Sequence, residues 1–177
     1  MGYDVAMHAL HQQILDAINT ATAGMTEEQL KYHPEGKWSS SGILEHLNLA
    51  FSGTAKMMER CLAEGKPLGD KPSLKQRVLA SVVTDVGYFP EGRTAPKMVT
   101  PTETLGGVES LEMIRETIQK MDVLYAKCQE RFGDTIFLAN HPVLGPLKGR
   151  QWPRFHFVHT KHHMKQITRL REQAPGR

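Results

Sequence analysis

Cysteine is scarce in this chain: Cys61 and Cys128 are the only two in 177 residues. They lie far apart in helix-like sequence, which excludes a disulfide framework and a cysteine-based zinc motif. No apolar run approaches the roughly 20 residues of a membrane span, so no membrane partner is expected. A strong charge of one sign is lacking too. The formal net charge is +3, and the lysines and arginines are scattered. Without a basic arm interleaved with aromatics, nucleic acid is not an expected partner either. Met1-Gly2-Tyr3-Asp4 shows no basic flank leading into an apolar stretch, so no signal peptide is expected and the cytoplasm is the default compartment. What is present is 40% hydrophobic and 23% charged residues, the balance of a globular chain. Its length fits one domain, expected over residues 1–177.

Apolar residues recur at helical spacing in four segments. The first covers residues 4–23, with Met7, Leu10, Ile14, Ile18 and Ala21 on one stripe. Thr26-Glu27-Glu28-Gln29 then has the form of a capping box opening a short turn. The second helix follows the Ser39–Ser41 cap and runs to about Ala63, where Glu64-Gly65-Lys66-Pro67 stops it. The third, residues 108–132, carries Leu111, Ile114, Ile118, Met121, Tyr125, Cys128 and Phe132, with Gly133 at its end. The fourth covers residues 149–172.

Five prolines and six glycines fall between helices two and three, in residues 65–108, where Ser73 to about Val86 could form a short helix. Such a connection is a lid, the wall of a site or a plain crossover. No strand pattern stands out. The reading is all-α: a four-helix bundle with a long crossover connection between helices two and three.

Helix four carries His156, His159, His162 and His163. His159 and His163 are four apart, so they stack on one face, together with Trp152, Ile167 and Leu170. A core face would favour leucine there. Buried imidazoles need partners for their ring nitrogens, supplied either by ordinary protein groups or by a shared metal ion. Zinc usually takes at least three protein ligands. His46 is the best third candidate: it borders the apolar stripe of helix two and should point inward.

Gly36-Lys37-Trp38-Ser39 followed by Glu45-His46-Leu47 resembles the helix-two signature of the DinB/YfiT-like superfamily of metal-binding bundles. His141-Pro142-Val143-Leu144-Gly145-Pro146-Leu147, Trp152 and the run from His159 to Gln166 resemble its helix-four signature. The similarity points to a branch of uncharacterised function. It implies a metal triad of His46, His159 and His163, and a divalent ion, zinc or nickel most commonly, with iron or manganese as further options. It also allows a homodimer.

Three histidine ligands leave a coordination position open, as catalytic sites do. Two enzyme readings follow, each on a small-molecule substrate. One is hydrolysis of an ester, amide or similar electrophile. The other is activation of a low-molecular-weight thiol for S-transfer. A third reading, from another class, is a non-catalytic module in which the ion stabilises the bundle or senses a ligand.

Around the triad, His156 and Gln166 lie toward the ligand face, and the Tyr125 hydroxyl could reach the cavity from helix three. Each could equally serve packing. His8, His11, His162 and Glu45 read as surface residues, His141 with Pro142 as a turn, and Trp38 and Trp152 as packing anchors.

Overall fold

A computed structural model describes residues 6–90, 92 and 94–175. It is mostly helical, with the order α1 (Ala9–Thr22), α2 (Glu27–Lys31), α3 (Ser40–Glu64), α4 (Leu74–Thr84), α5 (Gly107–Phe132), β1 (Phe137–His141), β2 (Gly145–Lys148) and α6 (Gln151–Gln173). A single 3-10 turn, Lys97–Val99, lies between α4 and α5.

The helix boundaries follow local chemistry. The Ser39 hydroxyl accepts the Gly42 N–H at 3.0 Å and caps α3. Thr26 with Gln29, and Ser73 with Gln76, form complete capping boxes at the starts of α2 and α4. Gly65 ends α3 in the left-handed region, φ +69°, which only glycine adopts without strain. The start expected for α1 at Asp4 falls outside the described residues, and the helix opens at Ala9 with His8 as its cap.

The stripes read from periodicity form the core. Ile14 and Ile18 of α1, Ile43, Leu47, Phe51 and Met58 of α3, Ile114, Ile118 and Met121 of α5, and Trp152 and Ile167 of α6 are all buried in one cluster. α3 packs mainly along α5, and α1 along α6. No described helix is long and apolar enough to cross a membrane.

The hairpin is a departure from the all-α expectation. β1 and β2 pair antiparallel, with Ala139 opposite Leu147, Asn140 opposite Pro146, and an irregularity between Phe137 and Ala139. Two features hide it in the sequence. The strands are only five and four residues long, and Pro146, which cannot donate to a ladder, argues against a strand. The pairing is sustained by distant contacts. Leu138 and Leu147 are buried in the core. The outer edge of β1 is engaged by the chain leaving α3, where the Leu68 N–H donates to the Leu138 carbonyl at 2.8 Å. The expected turn role of His141 is seen: its Nδ1 accepts the N–H groups of Val143 and Leu144, both at 3.1 Å.

Candidate metal centre

α6 sets His159 and His163 one turn apart, and α3 brings His46 to meet them from 113 residues away. His159 Nε2 lies 3.1 Å from His46 Nε2 and 3.1 Å from His163 Nε2. The three rings are buried, and one nitrogen from each falls within a 4.8 Å group. Tetrahedral bonds of about 2.0–2.1 Å to zinc would set ligand nitrogens about 3.3 Å apart. The three histidines are therefore close enough together to bind a metal ion.

The far side of each ring fixes where its hydrogen sits. His46 Nδ1 is 2.7 Å from the Val99 carbonyl oxygen. A carbonyl only accepts, so His46 carries its hydrogen on Nδ1 and its Nε2 is a bare lone pair. His163 Nδ1 lies 2.8 Å from Gln166 Oε1, which gives the same tautomer. With the amide in this orientation, Gln166 Nε2 faces His162 Nε2 at 3.4 Å. His159 Nδ1 has no hydrogen-bonding partner among the described residues.

Two bare lone pairs thus aim at His159 Nε2. A neutral His159 has a single hydrogen, which can serve at most one of them. At least one nitrogen pair meets with no hydrogen between.

Protonation does not relieve this. Burial, then the charges of His163 and His46, hold His159 well below the ordinary value. Burial pushes His163 down to about 3 and lowers His46 as well. The groups whose charge bears on these three rings are all other histidines. A cation between the three Nε2 atoms would satisfy every lone pair at once. The residues present fit such an ion.

Aromatic rings wall the site. Phe155 and Phe89 stack on His159, with centroids at 5.4 and 5.1 Å, and Trp38 lies 5.1 Å from His46. Phe89 and Val99 belong to the long connection, which therefore forms part of the site wall.

The sequence profile of a family described as "Protein of unknown function (DUF1569)" matches residues 5–170. The chain belongs to this family. No curated protein and no solved structure gives a match.

In this DUF1569 chain the residues expected around the triad are distributed unevenly. Gln166 contacts His163 directly. His156 is fully buried one turn before Thr160; it stacks on Phe51 at 4.1 Å and meets Thr54 Oγ1 at 3.0 Å. Thr54 spends its own hydrogen on the Ala50 carbonyl, so His156 Nε2 donates to it. The Tyr125 hydroxyl donates to Asp134 at 3.2 Å, and its ring packs against His8 and His11.

Two surface readings are corrected. His11 is buried, with Nδ1 2.5 Å from Asp122 of α5. Glu45 is buried too, bonded to the backbone of Thr102 and Glu103. Both partners are remote in sequence, so spacing along one helix could not reveal them. His162 is half-buried, its ring 5.0 Å from Phe89.

Proposed function

We propose that this protein is a metal-dependent enzyme, a hydrolase or thiol S-transferase of the DinB/YfiT-like type. In this reading α1, α3, α5 and α6 are the four helices of the bundle. His46, His159 and His163 hold a divalent ion, zinc or nickel in the first instance and iron or manganese otherwise. The observation that carries the reading is the set of three Nε2 atoms, two with lone pairs fixed by Val99 and Gln166, converging on one point.

A divalent ion held by three histidines supplies Lewis acidity, lowering the pKa of a water or thiol bound to it. The chain's own residues do the rest. The Val99 carbonyl and Gln166 keep two ligand rings in the binding tautomer. Phe89, Phe155 and Trp38 exclude bulk water from the rings. The substrate in this reading is a small molecule, with a low-molecular-weight thiol as the transferase option, and the active form is a cytoplasmic protein able to pair as a homodimer.

The low exposure of the rings, 3% for His46 and 6% each for His159 and His163, favours one other reading. In it the ion only braces the bundle or senses a ligand. Relaxation measurements on the loaded protein separate the two, because an exchangeable water on the ion supports the enzyme and a dry ion supports the brace.

The test of metal binding is elemental analysis of the purified protein beside His159→Ala and His163→Ala. About one divalent ion per chain is expected in the parent and none in either variant. Unchanged metal content in the variants would refute the site. A screen against thiol conjugates and simple esters then tests the activity.

A further inference from the structure

α3 places Glu45 immediately before His46, and its side chain is buried. No lysine, arginine or histidine pairs with it among the described residues. Both carboxylate oxygens instead accept from one stretch of the connection. Oε1 takes the Thr102 N–H at 2.9 Å and the Thr102 hydroxyl at 2.8 Å. Oε2 takes the Glu103 N–H at 2.9 Å.

The same stretch carries the Val99 carbonyl, which accepts from His46 Nδ1 at 2.7 Å. Adjacent residues of α3 therefore grip one segment at two points, His46 at residue 99 and Glu45 at residues 102 and 103. The segment is not relaxed without help. Glu103 has φ +55°, the only positive φ outside glycine among the described residues. Its side chain lies over Gly42, where an added Cβ would sit 2.8 Å from its Cδ, and it accepts from the Ser39 hydroxyl at 3.0 Å.

We propose that Glu45 is a positioning residue of the centre. It straps residues 99–103 onto α3, so that the Val99 carbonyl holds the His46 hydrogen on Nδ1 and leaves Nε2 bare for the ion. The part of this inference that concerns ion affinity rests on the metal reading above. The part that concerns the His46 tautomer does not.

Glu45→Ala and Glu45→Gln test it with two readouts. The first is the 15N NMR signature of the His46 ring in ion-free protein. The parent should show hydrogen on Nδ1, and Glu45→Ala should lose that bias. The second is zinc affinity, read by competition with a chromogenic chelator. Loss of a group that orients a ligand typically costs about 10–100-fold in metal affinity, and a loss of at least about tenfold is expected for Glu45→Ala. Glu45→Gln should lose less. It keeps the shape and one acceptor oxygen, while its NH2 cannot accept from the N–H it faces. Should Glu45→Ala fail to fold, Glu45→Gln carries both readouts.

If the parent binds zinc and the Glu45 variants bind it as tightly, the proposal is overturned and the metal reading stands, whatever happens to melting temperature. If the parent binds no zinc, the metal reading fails and the tautomer decides. A shifted His46 signature in the variants upholds the strap, and an unshifted one overturns it.

Discussion

His141, His156 and His163 are bases held where their protonated forms are disfavoured. Burial pushes His141 down to about 4 and His163 to about 3, from an ordinary value of 6.5. His156 lies well below that value for the same reason. In the unfolded chain each ring regains its ordinary value. Between pH 6.5 and about 4 the unfolded state therefore binds protons that the native state refuses. The stability these rings contribute is complete above pH 6.5 and is lost as the pH falls through that window. Urea denaturation of ion-free protein should show a clearly lower midpoint at pH 5 than at pH 7.5; equal midpoints would contradict the burial argument. At this scale the histidine pair was legible, because four-residue spacing puts two rings on one face. The environments of Glu45 and His11 were not. A buried polar side chain is explained by its partner, and Thr102 and Asp122 lie 57 and 111 residues away.

At the scale of elements, caps and breakers were the most readable features, since each acts within four residues of itself. Removing the Ser39 hydroxyl should therefore act locally on α3. Ser39→Ala loses the bond to the Gly42 N–H and the bond to Glu103, and should destabilise the protein by roughly 1–2 kcal/mol, measured by chemical denaturation. Gly107, at the start of α5, behaves differently. An added Cβ there would fall closer to the Leu30 side chain than real Cβ atoms come. Leu30 is itself buried, so it has little room to retreat. Gly107→Ala should cost about 1–3 kcal/mol by overpacking, despite alanine's better helix propensity. A neutral or stabilising result would show that α2 can shift away from α5. The hairpin escaped the reading because its support is not local. Pro146 speaks against a strand, and only the docking of Leu68 and the burial of Leu138 and Leu147 outweigh that signal.

Over the whole molecule the mostly helical architecture followed from the four long stripes, and α3 and α6 carry the residues that meet at the centre. Whether the connection walls the site or merely crosses over could not be read from its composition; the stacking of Phe89 and the bond to Val99 decide for the wall. An ion that binds only the folded chain stabilises it by mass action, by about 2.7 kcal/mol at a hundredfold excess over its dissociation constant. Zinc or nickel should accordingly raise the melting temperature of the parent, a chelator should reverse the rise, and His163→Ala should show neither effect. An equal rise in that variant would place the stabilising ion elsewhere.

His46 and His159 stand 113 positions apart along the chain. Their rings meet only once α3 and α6, from opposite ends of the polypeptide, have packed against each other. In the metal reading proposed above, occupancy of the centre would thus be a census of finished molecules. If the centre takes an ion as proposed, a truncated or half-assembled chain would be counted out by the missing ion before any change in helix content betrayed it.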